Sequence, residues 1–248
     1  MNAVSEAVIL MAGEGSRLRG SNKTFLKPFV LALGRPLILY TLDAVTRAGI
    51  ETIHFVAGYE SERMIAQLKQ LIPSGVNASF IENRDWRKQN GISLLVAAGH
   101  VSAPFLLTMS DHLFDEAMVG RLLDTFDPGV LNIAVDRKLD SIFDLDDAMK
   151  VQTRGNNVTG IGKDLREFDA IDTGLFVCPM AIFGYLERAR SDNNQNDCSL
   201  ADAVRLMACD GKVRAIDIGE SWWQDVDTPR MLQHAEEDMT RRASRSIK

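Results

Sequence analysis

Gly13-Glu14-Gly15-Ser16-Arg17 follows directly on an apolar run, Glu6 to Ala12, and this junction is well suited to hold a phosphate. A strand that runs into Gly-x-Gly turns backbone N–H groups outward, and the missing side chains let an anion approach closely. Two familiar phosphate loops do not fit. The dinucleotide fingerprint G-x-G-x-x-G needs a glycine at position 18, which is leucine. The G-x-x-x-x-G-K-[ST] loop fails because Gly15 and Gly20 are followed by Ser21-Asn22. What remains is G-x-G-x-R-L, with Lys27-Pro28 and then Gly34-Arg35-Pro36-Leu37-Ile38. Arg17 and Lys27 add fixed positive charge, which suits a triphosphate better than a dinucleotide. A tight turn with a solvated Arg and Lys is the plainer alternative for Gly-x-Gly alone; the ordered charged positions weaken it.

Polyphosphate chemistry asks for a divalent cation, and Mg2+ prefers carboxylates and water. Asp111 closes the run Pro104 to Met109 (PFLLTM) after Ser110, and open α/β sheets place ligands at such strand ends. Asp225 and Asp227 lie in Trp223-Gln224-Asp225-Val226-Asp227-Thr228-Pro229, where alternation puts both on one side of an extended segment. Asp111, Asp225 and Asp227 are therefore the expected metal ligands. Each has a simpler alternative: Asp111 could cap a turn, and Asp227 or Thr228 could be the N-cap of a helix entered at Pro229. His112 as a zinc ligand or general base is disfavoured. A phosphate monoester, with a second pKa of about 6, is already largely a dianion at neutral pH and needs no base. Trp222 and Trp223 could stack on a nucleobase or simply cover the loop.

These groups must be positioned by an α/β scaffold, because short apolar runs alternate with helix-period segments. Expected strands are Glu6–Ala12, Thr52–Ala57, Ala78–Glu82, Pro104–Met109, Val130–Val135, Ala170–Cys178 and Val213–Ile218. Expected helices are Pro36–Ala48, Ser61–Ile72, Ile92–His100 and Pro179–Arg190, one opened by Ser199 with Asp202 three residues on, and one from Pro229. Ala148–Thr153 and Val158–Ile161 flank Arg154-Gly155-Asn156-Asn157, a hairpin signal. The pattern gives one α/β domain over residues 1–240 with a hairpin-bearing insertion, and a basic, frayed tail over 241–248.

The chain has 248 residues, 46% of them hydrophobic, and 28 basic against 34 acidic side chains for a net charge of −6. That acidic balance argues against nucleic acid as a partner. No apolar run approaches the roughly 20 residues that span a bilayer, and the start of the chain lacks a signal-like stretch. Three cysteines without C-x-x-C spacing suggest neither zinc knuckle nor disulfide framework, so the expected compartment is the cytoplasm.

The opening pattern resembles that of the nucleotidyltransferases that activate sugar phosphates and related esters: L-A-A-G-x-G-x-R-[LF], then K-P, then G-x-P-L-I. Met11 and Leu26 depart from it without removing a charged or glycine position, and further on Ser110 stands where the family more usually has a glycine before the Asp. The resemblance implies a Rossmann-like fold: a mixed, mostly parallel sheet with flanking helices and a β-hairpin insertion. It assigns the nucleotide to Ala12, Gly13, Glu14, Gly15, Ser16, Arg17, Lys27 and Asp111, with Mg2+ as cofactor. A narrower likeness, over roughly residues 6 to 236, is to the CTP:inositol-1-phosphate cytidylyltransferases. It is carried by Asn90-Gly91-Ile92-Ser93, Leu107-Thr108-Met109-Ser110-Asp111-His112, Ile161-Gly162-Lys163-Asp164-Leu165-Arg166, Asp172-Thr173-Gly174 and Asp225-Val226-Asp227-Thr228.

That likeness implies CMP transfer from CTP to inositol 1-phosphate, with pyrophosphate released. It places Arg17, Lys27, Asp111 and Lys163 in catalysis, and Lys163, Asp172, Thr173 and Gly174 around the acceptor. Asn90 and Ser93 are candidates to read the base. Without the resemblance, Lys163 and Arg166 read as a solvated charged loop. This family often occurs fused to a membrane alcohol-phosphotransferase domain; here such a partner is expected as a separate protein. Another phosphoalcohol or sugar 1-phosphate as acceptor, UTP or GTP as donor, a metal-dependent glycosyltransferase and a non-catalytic nucleotide-binding module are the competing readings.

Overall fold

The computed structural model describes residues 4–19, 25–102 and 104–245. Its first strand, β1 (Glu6–Met11), sends Val8 and Leu10 into one hydrophobic cluster and Ala7, Ile9 and Met11 into another. Burial on both faces is why this run is apolar without alternation. The glycine loop leads from β1 into a single helical turn, α1 (Ser16–Arg19). A short hairpin, β2 (Leu31–Ala32) with β3 (Arg35–Pro36), feeds α2 (Leu37–Arg47), with Pro36 at its N-cap and Gly49 at φ +87° just beyond its end.

Next come β4 (Thr52–Ala57), α3 (Ser61–Leu68), β5 (Asn77–Glu82) and α4 (Asn90–Leu95). Both helices are shorter than expected. Pro73 has no N–H, and its ring would clash with the carbonyl four residues back, so α3 stops at Leu68. Beyond α4 the chain runs in turns, with Gly99, a poor helix former, near the end of the expected span.

The chain continues through β6 (Phe105–Met109), β7 (His112–Phe114), α5 (Glu116–Thr125) and β8 (Leu131–Asp136). The hairpin β9 (Lys150–Arg154) and β10 (Asn157–Gly162) turns where expected, with Gly155 at φ +62°. Then follow β11 (Ala170–Cys178), α6 (Ala181–Asp192), α7 (Leu200–Cys209), β12 (Val213–Asp217), β13 (Trp223–Asp225) and α8 (Pro229–Arg245). Ser199 and Asp202 form a reciprocal capping box on α7. Helix α8 continues through Arg245, so the basic segment from Arg241 is helical there rather than frayed; residues 246–248 lie outside the described part.

The main sheet has the order β5-β4-β1-β6-β11-β8-β12-β10-β9. Strands β5, β4, β1 and β6 run parallel, β8 and β12 are parallel to each other, and β11 is antiparallel to both β6 and β8. The start of β11 also pairs with β9, which closes the far end of the sheet on itself. Helices α4, α6 and α7 cover one face; α2, α3 and α5 cover the other. Neither α5 nor the β7–β13 pair was expected from the sequence. Among the described residues no helix is long and apolar enough to cross a membrane.

Candidate active site

The C-terminal edge of β1 and β6 carries the glycine loop and Asp111. Gly15 adopts φ +64°, and a Cβ there would fall 2.9 Å from Lys27 Cβ, so a glycine is needed for the loop to lie over the Lys27 stem. Lys27 is only 8% exposed. Its ammonium donates to Asp111 Oδ2 at 2.5 Å and also to Asp227 Oδ1. Burial disfavours the ammonium, but the two carboxylates outweigh it and its pKa is raised. Burial likewise works against ionised Asp111, yet Lys27 and His112 hold its pKa well below the usual carboxylate range. Arg17 reaches Asp227 Oδ2 at 2.6 Å and Asp147 Oδ2 at 2.9 Å.

Ala12, Gly13, Gly15, Ser16, Arg17, Lys27 and Asp111 line one cavity, together with Asn90 and Ser93. Glu14 does not line it. Its carboxylate turns away to Arg19, which also donates to Tyr59 Oη at 3.0 Å, so the expectation of Glu14 at the nucleotide is corrected for its side chain. The Ser93 hydroxyl accepts from Asn83 Nδ2 at 2.9 Å, and Asn90 Oδ1 accepts from Leu200 N at 2.8 Å, pinning the start of α7. Asn83, buried behind Ser93, carries no sequence signal.

The antiparallel pairing of β7 with β13 sets Asp225 opposite His112 and brings Asp227 to Lys27. Thr228 Oγ1 accepts from Met231 N at 3.2 Å. Thr228 is therefore the cap of α8, which leaves Asp227 to the site. The Asp111 carboxylate is taken by Lys27 and His112 Nδ1 (2.7 Å), not by a turn amide. Asp225 has its pKa raised by burial, with Asp227 and Asp111 adding to the effect and His112 opposing it.

Among the described residues no three acidic, histidine or cysteine side chains form a ready metal shell. Of the three carboxylates expected to hold a metal, Asp111 and Asp227 flank the Lys27 ammonium and Asp225 stands beside them against His112. The donor chemistry still fits a divalent cation. Mg2+ is commonly held by one or two carboxylates, with substrate phosphates and water completing its shell.

A second cavity shares Asn90, Met109, His112 and Asp227 with the first. Lys163 stands on its rim, its ammonium 2.5 Å from Asp147 Oδ1. Asp172 lines it with one oxygen on Gly174 N at 2.7 Å, and burial pushes its pKa up to about 6. Gly174, at φ +73°, leaves the space into which the His112 ring packs; any Cβ there would run into the imidazole. Burial opposes protonation of His112, but Asp111 prevails and lifts its pKa to about 8.

Thr173 faces away from this cavity. It is fully buried, with its hydroxyl on Ala134 O at 2.8 Å, so its expected place at the acceptor is corrected by strand alternation. Neither Trp222 nor Trp223 lines the first cavity: Trp222 donates to Asp238 and Trp223 to Asp136. Asp147, which joins Arg17 to Lys163, was missed because its partners lie 130 and 16 residues away.

Residues 7–192 match the MobA-like NTP transferase domain. The bifunctional IPC transferase and DIPP synthase of Archaeoglobus fulgidus is 34% identical over 230 residues, 93% of this chain and 43% of that protein. Its namesake from Aquifex aeolicus is 28% identical over 245 residues, 98% of this chain and 54% of that protein. This chain thus spans about half the length of these relatives. Among solved structures, the inositol-1-phosphate CTP transferase from T. maritima superposes with a TM-score of 0.83 at 25% identity, covering 96% of each chain. A UDP-glucose pyrophosphorylase from acinetobacter baumanii, at 20% identity and a TM-score of 0.71 over 94% of this chain and 92% of its own, shares the fold. The match over three quarters of its length and the superposed architecture together make this chain a member of the MobA-like NTP transferase family.

Proposed function

We propose that the chain transfers CMP from CTP to inositol 1-phosphate, forming CDP-inositol and pyrophosphate. The observation that carries this reading is the meeting of two cavities at Asp227 and His112, with the phosphate-loop cations Arg17 and Lys27 on one side and Lys163 on the other. The likeness to proteins named IPC transferase and inositol-1-phosphate CTP transferase supports the choice of donor and acceptor.

In this reading the amides of Gly13, Gly15 and Ser16 cradle the triphosphate while Arg17 and Lys27 neutralise it, Arg17 also facing the acceptor phosphate across Asp147. Asn90 and Ser93 border the base. Lys163 holds the acceptor phosphate, with Asp172 and Gly174 shaping the rest of that cavity. An acceptor oxygen attacks the α-phosphorus in line, a new P–O bond forms, and the bond to the β-phosphate breaks as pyrophosphate leaves. The acceptor is already a dianion at neutral pH, so His112 is not needed as a base. Catalysis is then positioning and electrostatics. Enzymes of this family generally use a divalent metal. We assign Mg2+, held by Asp111 and Asp227 with Asp225 behind them, where it would offset charge on the reacting and departing phosphates.

The cytoplasm is the place of reaction in this reading. The resemblance also implies a membrane alcohol-phosphotransferase activity downstream, which would consume the product. The test is pyrophosphate release from four nucleoside triphosphates against a panel of phosphate monoesters. CTP with inositol 1-phosphate is expected to give the highest kcat/KM. A different pair that exceeds it tenfold would replace the substrates, and no release with any pair would remove the activity.

A further inference from the structure

One string of alternating charge crosses both cavities: Lys163, Asp147, Arg17, Asp227, Lys27, Asp111 and His112, each touching the next. Every cation proposed above to hold a phosphate is thus already paired with a carboxylate. Asp111 and Asp227 have a use once phosphate arrives, because they can turn to a divalent cation. Asp147 has none. It sits on the segment between β8 and β9, which lines the acceptor cavity through Ile142, Phe143, Asp144 and Asp147. That segment is anchored elsewhere, by Phe143 stacked on His234 at 4.2 Å with Arg230 over the same ring. The backbone is therefore held by contacts independent of the Asp147 carboxylate.

We propose that Asp147 is a specificity-determining residue, whose carboxylate occupies the place of the acceptor phosphate between Arg17 and Lys163. Its two oxygens are divided as those of a bound phosphate would be, Oδ2 on Arg17 at 2.9 Å and Oδ1 on Lys163 at 2.5 Å. An incoming group must outbid a singly charged carboxylate for both cations at once. A phosphate dianion does so, because it brings twice the charge and three acceptor oxygens. A neutral polyol does not. The string thereby admits phosphorylated acceptors and excludes their dephosphorylated forms and water. Only the identity of the acceptor rests on the function proposed above; the competition between carboxylate and phosphate does not.

The probe is inorganic phosphate, titrated calorimetrically into the full chain and its variants. Exposed ion pairs are each worth about 0.2–1 kcal/mol, so removing the competitor from both cations should tighten phosphate binding roughly two- to thirtyfold in Asp147→Asn. Asp147→Glu, which keeps the charge, should stay near wild type, and the double variant Asp147→Asn with Lys163→Met should lose the gain. KM for the phosphorylated acceptor should fall in parallel. Unchanged or weaker phosphate binding in Asp147→Asn would overturn the proposal. So would a raised KM with a reduced kcat, since Asp147 would then be a clamp that positions Lys163. If no substrate pair turns over while the phosphate gain is present, the function reading falls and the competition stands.

Discussion

Lys27 is buried and charged, a combination that persists only because Asp111 and Asp227 face its ammonium. The same contacts make Asp111 the residue whose loss should matter most. Asp111→Ala is expected to cut turnover at least 10²–10³-fold, the scale of losing one preorganised electrostatic group. A cooperative unfolding transition should be retained, with Asp111→Asn as the milder check on folding. Near-wild-type kcat with unchanged Mg2+ dependence would take Asp111 out of the mechanism.

Asp172 offers a different test, of stability rather than rate. Burial raises its pKa from 3.8 to about 6, so the folded chain holds a proton that the unfolded chain has already released in that window. Stability from this group therefore falls as pH rises through about 4 to 6 and stays lower above. Asp172→Asn should melt higher than wild type at pH 8, with the gap closing toward pH 4. Parallel melting curves at all pH values would show that the buried carboxylate carries no such cost. The D-T-G triplet was legible as a unit, but alternation along β11 gives its three residues separate tasks. Asp172 faces the cavity, Thr173 bonds Ala134 in the core, and Gly174 makes room for His112.

Between residues and molecule stand the elements, and the shortest of them do most to assemble the site. The apolar run of β1 was readable because burial on both faces demands continuous hydrophobicity. Strands β7 and β13 have three residues each, too few for a period, and their pairing spans more than a hundred positions. Yet this pairing is what sets Asp225 against His112. Helix α8 follows at once, and by sequence either Asp227 or Thr228 could cap its start. The hydrogen bond to Met231 assigns the cap to Thr228. Thr228→Ala should lower unfolding free energy by about 1 kcal/mol, read as a shifted urea midpoint with unchanged slope. An unmoved midpoint would mean that the cap adds nothing.

For the whole molecule, the site is a seam between two parts of one sheet. The parallel strands β1 and β6 supply the glycine loop and Asp111, while β11 and the β9–β10 hairpin line the second cavity. Ligands that bridge this seam should stabilise the fold as a unit. At about a hundredfold excess over Kd, CTP with Mg2+ should add about 2.7 kcal/mol, raising Tm by roughly 5–10 °C. EDTA should remove that gain without unfolding the free protein. A full shift from CTP in EDTA would show that the phosphate loop needs no metal.

The sequence by itself determined the α/β class, the glycine loop after β1 and the roster of charged residues, because each rests on local order: apolar period, glycine spacing, residue type. Only the tertiary structure decided which charges meet. Lys27 between two aspartates, Asp147 between two cations and Thr173 turned inward follow from strand pairings and close packing, in which residues far apart in the chain compete for the same few ångströms.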